Sequence, residues 1–154
     1  MFTPQKKRFC LVADSGEGDN LSSAFDKALL NAKVGNYNLI KITSIIPPKA
    51  IQTNKITLPV GSTLTIAYDS FTSKKQGEVI SSVVAIGIPK NKKNQGIIVK
   101  TSGFQEKDTL VEQLKKELVE SFNNRSLELE QILTKGIEHT VINCGSVFSG
   151  VALF

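Results

Sequence analysis

The chain has 154 residues, 40% of them hydrophobic and 21% charged, which suits one domain with a buried core and an ordinary soluble globular composition. No apolar run approaches the length needed to span a bilayer. The net charge of +5 does not mark a nucleic-acid binder, because the lysines are scattered and the 6% of aromatic residues do not interleave with them.

The N-terminal stretch Met1-Phe2-Thr3-Pro4-Gln5-Lys6-Lys7-Arg8 carries a basic cluster. The apolar run behind it, Phe9 to Ala13, is too short for a signal-peptide core, so a cytoplasmic location is expected. Phe9-Cys10-Leu11-Val12-Ala13 reads as a short buried strand. Asp14-Ser15-Gly16-Glu17-Gly18-Asp19 reads as a tight loop by composition. Its acids fit no EF-hand spacing and would repel a phosphate. Asn20 is placed to cap a helix that carries Leu21, Ala24, Phe25, Ala28, Leu29 and Ala32 on one apolar face. Gly35 is expected to stop it.

Residues 37–46 read as one strand, ended by Pro47-Pro48. Residues 49–61 are mostly loop. Ser62 to Asp69, Glu78 to Ile88 and Gln95 to Thr101 are rich in β-branched residues and read as strands. The dense cluster Lys90-Asn91-Lys92-Lys93-Asn94 between two of them reads as a solvated turn. A second helix is expected to start near Asp108 or Thr109, with Thr109 and Glu112 as a capping box. Leu110, Leu114, Leu118 and Phe122 line its apolar face. Two apolar strands, near 130–143 and 146–154, close the chain. Phe148, Val151, Leu153 and Phe154 are expected to pack in the core or between subunits. Five or six strands with two amphipathic helices make an α+β layered domain.

Most familiar sources of chemistry are missing. There is no G-x-S-x-G elbow, no Walker loop, no H-E-x-x-H and no paired CxxC. Cys10 and Cys144 fit neither a metal site nor a disulfide framework and read as buried thiols. No metal site is expected. His139, the one histidine, reads as a strand residue making a structural hydrogen bond rather than as a triad base.

What stands out is Asn38-Leu39-Ile40-Lys41-Ile42-Thr43-Ser44-Ile45-Ile46-Pro47-Pro48. A hydroxyl held at a sharp strand exit can attack its own preceding carbonyl. Further blocks surround it: Leu11-Val12-Ala13, Ala24-Phe25-Asp26, Ala28-Leu29-Leu30-Asn31-Ala32, Gly35-Asn36, Ala67-Tyr68, Gly77-Glu78, Ile88-Pro89-Lys90 and Glu138-His139-Thr140-Val141. In order and spacing, from Phe9 to Phe154, they resemble the pyruvoyl-dependent arginine decarboxylases.

The resemblance implies a single domain over residues 1–154 with a four-layer αββα sandwich fold. It also implies a homotrimer or a dimer of trimers with active sites between subunits. It implies a zymogen: self-cleavage between Thr43 and Ser44, giving residues 1–43 and 44–154, with Ser44 becoming a covalent pyruvoyl group. Asn38 matches the family's asparagine that stabilises the oxyanion of the first step. Asp26 matches the aspartate that holds the substrate guanidinium, and Leu29, Gly35 and Ile45 match other substrate-binding positions. The activity implied is decarboxylation of arginine to agmatine and CO2, in polyamine biosynthesis. Lys100 departs from the pattern, since the family has a glutamate in that strand as proton donor. Two alternatives remain open: an inactive or unprocessed structural subunit, or a decarboxylase of another cationic amino acid.

Overall fold

The computed structural model describes residues 5–154; residues 1–4, the start of the basic N-terminal stretch, lie outside the described part. In chain order the elements are β1 (Arg8–Gly18), α1 (Leu21–Asn31), β2 (Asn38–Lys41), β3 (Ile45–Ile46), β4 (Ile51–Gln52) and β5 (Thr63–Ser73). There follow β6 (Val79–Pro89), β7 (Gly96–Gly103), α2 (Lys107–Asn124), β8 (Leu129–Thr140) and β9 (Cys144–Leu153). The chain is a mixed α+β domain with two sheets. Sheet A has the order β2-β5-β9-β1-β4, and sheet B the order β3-β7-β6-β8.

The expected loop at residues 14–19 is instead mostly strand. β1 continues to Gly18 and pairs with β9 from Phe9↔Leu153 to Gly18↔Cys144. The two glycines that suggest a turn serve the packing of α1. A Cβ at Gly16 would lie 2.4 Å from the Ala28 nitrogen, and one at Gly18 would lie 2.6 Å from the Ala24 nitrogen. The helix therefore rests directly on the strand backbone.

Asn20 caps α1 as expected. Its Oδ1 accepts from the Ser23 N–H at 2.8 Å, and Ser23 Oγ accepts in return from the Asn20 N–H. The helix ends before Gly35: Ala32 is the C-cap, and Lys33 takes the left-handed conformation with φ +68°. Gly35 answers a different need, since a Cβ there would lie 2.7 Å from Leu30 Cδ2. The second helix starts at Lys107 with Glu106 as N-cap and no side-chain cap, so the Thr109–Glu112 box does not form. Leu110, Leu114, Leu118 and Phe122 are buried as the spacing requires.

Residues 37–46 do not form one strand. β2 lies at the edge of sheet A beside β5, while β3 lies at the edge of sheet B beside β7. The chain crosses from one sheet to the other at residues 42–44. Apolar period alone reads straight through this crossing, because Ile42 and Ile46 both face the gap between the sheets.

Among the described residues four apolar clusters form, a small one around Ile80, Val141 and Val147 and three larger ones that join the layers. Val12, Ala28, Leu64, Ile66 and Phe148 join α1 to sheet A. Leu11, Ile46, Ala67, Val84, Ile98 and Val151 join the two sheets. Val83, Ala85, Leu114, Leu118 and Phe122 join sheet B to α2. Burial of these side chains, about 1.5–3 kcal/mol for each Val, Leu, Ile or Phe, is the main term holding the elements together. Phe148, Val151, Leu153 and Phe154 are all buried within this one chain. The Lys90–Asn94 cluster is mostly exposed in the turn between β6 and β7, with Lys90 paired to Glu128 and Lys92 to Glu130. No helix among the described residues is long and apolar enough to cross a membrane.

Candidate active site

The Thr43–Ser44 bond lies outside both sheets but is tethered on each side. Upstream, β2 pairs with β5 from Asn38↔Thr63 to Lys41↔Ile66, and the Ile42 N–H donates to the Ile66 carbonyl oxygen at 3.0 Å. Downstream, Ile45 pairs with Ile97 and Ile46 with Gly96. The Ile98 N–H donates to the Ser44 carbonyl oxygen at 2.7 Å, which extends that ladder by one residue. Pro47-Pro48 then stops the strand. Thr43 is exposed and Ser44 is half-buried.

This geometry fits a group built from Ser44. Breaking the Thr43–Ser44 bond interrupts no ladder pair. A break there would leave residue 42 hydrogen-bonded to sheet A and residue 44 hydrogen-bonded to sheet B.

Lys100 shares the inner face of sheet B with this bond. Ser44 stands opposite Ile98, and Lys100 is two residues further along β7. Ile46 and Ile98 both belong to the cluster between the sheets, so residues 44, 46, 98 and 100 point the same way by strand alternation. Lys100 is half-buried. Its ammonium takes part in none of the ion pairs among the described residues.

The other expected site residues are more scattered. The Asn38 Nδ2 donates to the Gly61 carbonyl oxygen at 2.9 Å, at the far end of β2 from Thr43, so within one chain its amide does not point at the Thr43–Ser44 bond. Asp26 is exposed on α1, on the outer side of sheet A, and takes part in none of the ion pairs among the described residues; the pairing with Lys27 or Lys33 is absent. Leu29 is half-buried against the α1 cluster, and Gly35 sits in the turn behind that helix. Ile45 is 40% exposed, on the face of β3 opposite Ser44. One chain thus brings Thr43, Ser44 and Lys100 together, and leaves Asp26, Leu29 and Gly35 on the other side of sheet A. A cleft of about 550 Å³ beside β1 is lined by Asp14, Asn31, Lys33, Tyr37 and Lys135 and includes none of the expected site residues.

Two features have no local signal in the sequence. The Ile98 N–H is a backbone donor and carries no side-chain signature. Glu17, in the segment expected to be a loop, is the partner of His139: the Oε2 to Nε2 distance is 2.5 Å across 122 positions of chain. Glu17 also accepts from the Asn143 N–H at 2.8 Å and the Ile142 N–H at 3.2 Å. Burial alone would raise the Glu17 carboxyl, but His139 and these two backbone donors outweigh it and hold it below its ordinary range. His139 is therefore a structural link between β8 and β1. Burial raises the Cys10 thiol, and both cysteines are buried and free. Among the described residues, no three His, Cys, Asp or Glu side chains are grouped to hold a metal ion.

The comparisons with known proteins point to one class, the pyruvoyl-dependent decarboxylases. The family model described as pyruvoyl-dependent arginine decarboxylase matches residues 8–152. Proteins of that name from Methanocaldococcus jannaschii and Methanococcus aeolicus are each 39% identical over 144 residues, covering 94% of this chain and 87% of theirs. The one from Thermococcus kodakarensis is 35% identical over 136 residues, covering 88% of this chain and 86% of its own. The chain belongs to the pyruvoyl-dependent arginine decarboxylase family. Membership implies a covalently bound pyruvoyl group.

Proposed function

We propose that this chain cuts itself between Thr43 and Ser44 and decarboxylates arginine to agmatine and CO2. The observation that carries the reading is the anchoring of both sides of that bond in separate sheets, in a chain of this family. Ser44 Oγ attacks the Thr43 carbonyl carbon, and the amide becomes an ester. Elimination across the Ser44 Cα–Cβ bond then releases residues 1–43 as a carboxylate, and water replaces the nitrogen of residue 44 as ammonia. Asn38 is the donor proposed for the oxyanion of the first step.

When formed, the pyruvoyl group supplies a conjugated carbonyl that takes up the substrate's α-amine and draws electrons as CO2 leaves. Asp26 offers a carboxylate matched to the planar guanidinium. Leu29, Gly35 and Ile45 shape the path between. Because Asp26 and Ser44 lie apart in one chain, the complete site forms between copies.

A homotrimer, alone or doubled, fits the edges of the sheets. Among the described residues, β5 pairs only with β9 beyond Ile66, and β7 only with β6 beyond Ile98. These two unpaired edges lie at the mouth that holds Ser44 and Lys100, and a neighbouring copy would cover them. The three larger apolar clusters support a four-layer αββα sandwich, with α1 and α2 outermost.

Mass spectrometry of the purified protein, with CO2 release from arginine, tests the proposal. Two fragments corresponding to 1–43 and 44–154 and robust turnover are expected. A single intact mass after long incubation would overturn it. Lys100 favours a second reading, a cleaved or uncut family member that serves as a structural subunit without turnover. Release of CO2 from arginine by the natural sequence would end that reading. A preference for lysine or ornithine over arginine would move the activity to another cationic amino acid.

A further inference from the structure

Lys100 lies diagonally across β7 from Ser44 on the inner face of sheet B, and this carries a consequence for the resting state of the protein. We infer that Lys100 Nζ bonds covalently to the keto carbon made from Ser44, so that the processed chain rests as an internal imine. The inference depends on the processing of Ser44 proposed above.

Three observations support the geometry. The Ile45↔Ile97 and Ile46↔Gly96 register, with the Ile98 N–H on the Ser44 carbonyl at 2.7 Å, makes Lys100 the diagonal neighbour of Ser44. Diagonal neighbours on adjacent strands are about 7–8 Å apart, within reach of a long side chain. Both side chains lie on the inner face of sheet B, beside Ile46 and Ile98 of the cluster between the sheets. Finally, Lys100 is half-buried and is absent from every ion pair among the described residues, whereas Lys90, Lys92 and Lys115 each hold a glutamate. Among the described residues, no carboxylate forms an ion pair with its amine.

The chemistry balances without an oxidant or reductant. The ammonium gives its proton to solvent, and the neutral amine adds to the keto carbon. The keto oxygen leaves as water, and a C=N bond joins Lys100 to residue 44. A substrate with a primary amine displaces Lys100 by exchange at the same carbon. The released lysine then takes up a proton beside the bond that loses CO2, and so stands ready to donate it. Lys100 in this scheme holds the carbonyl until an amine substrate arrives, and it protects the ketone from stray nucleophiles.

Reduction and mass spectrometry test this without relying on turnover. The purified natural protein is treated with sodium cyanoborohydride in the absence of amines, denatured, digested and analysed. The expected product is residues 44–154 lighter by one water and heavier by two hydrogens, with a peptide in which residue 44 is joined to Lys100. Arginine added before the reductant should abolish that link and leave a substrate-derived adduct on residue 44. The variants Lys100→Arg and Lys100→Met should be cut normally and give no link.

A cleaved chain whose residue-44 ketone stays unlinked to Lys100 would overturn this inference and leave the processing intact. A link between two different copies of residues 44–154 would overturn the same-chain geometry. A chain that stays uncut would overturn both the processing and the imine, and intact mass distinguishes that case at once.

Discussion

The Ile98 N–H holds the carbonyl oxygen of Ser44 at 2.7 Å, so the residue that follows the proposed cut is fixed to sheet B before any cut is made. Residue 42 is fixed to sheet A through the Ile66 carbonyl. Cleavage should therefore cost little stability. The natural protein after processing and the uncut Ser44→Ala variant should melt within a few degrees of each other in a calorimeter, a difference of about 1 kcal/mol or less. Ser44→Ala should also give one intact mass and no decarboxylase activity. A loss of tens of degrees on cleavage would show that the crossing carries tension across the sheets.

Lys100→Glu puts a carboxyl in place of the amine on the inner face of sheet B, where partial burial favours the protonated form that can deliver a proton. In processed protein it should raise kcat on arginine, on the order of 10²-fold where proton delivery limits the rate. Cleavage at Ser44 should be unchanged, which intact mass would verify. A kcat that stays flat with normal cleavage would place Lys100 outside the reacting centre.

Asp26→Asn should leave cleavage and melting temperature unchanged, because the side chain is exposed and takes part in no ion pair among the described residues. Losing a charge-assisted contact of about 1.5–3 kcal/mol should lower kcat/KM for arginine roughly ten- to a hundred-fold. Steady-state kinetics on arginine would show this, and unaltered kcat/KM would remove Asp26 from the substrate site.

Glu17 makes stability fall in acid. Its carboxyl is held below the ordinary range in the fold, by His139 and by the Asn143 and Ile142 N–H groups against the opposing effect of burial. The unfolded chain therefore takes up the proton first. The stabilisation is complete above the ordinary glutamate value of about 4.3 and disappears as pH falls through the lower folded value. Denaturant melts from pH 7 to 3 should show the natural chain losing more stability than Glu17→Gln, which starts lower at pH 7. Parallel pH profiles for the two proteins would remove this role.

Gly16→Ala should destabilise the fold, because its Cβ would meet the α1 backbone at the Ala28 nitrogen, 2.4 Å away. Moving a helix off a sheet costs about 1–3 kcal/mol or more. Urea melts should register this as a lower midpoint with an unchanged slope. A variant of native stability would mean that α1 rests less tightly on β1 than these distances show.

Local chemistry made much of this molecule legible from its residues. The helix faces around Ala24–Ala28 and Leu110–Phe122, the Asn20 cap, the strands rich in β-branched residues and the stop at Pro47-Pro48 all depend on neighbours within a few positions. So did Thr43-Ser44 as the candidate bond, through its resemblance to a family. The rest depended on partners far away in the chain. Residues 14–18 look like a loop because glycines permit one, yet they form a strand because β9 pairs with them and α1 needs the space. Residues 37–46 look like one strand because side-chain alternation is blind to which sheet supplies the hydrogen bonds. Glu17 meets His139 across 122 positions, a pairing that no spacing in the sequence encodes. The sequence by itself determined which residues are able to do chemistry; only the tertiary structure decided that Ser44 and Lys100 share one face, because strand register sets which side chains meet and register is a long-range property.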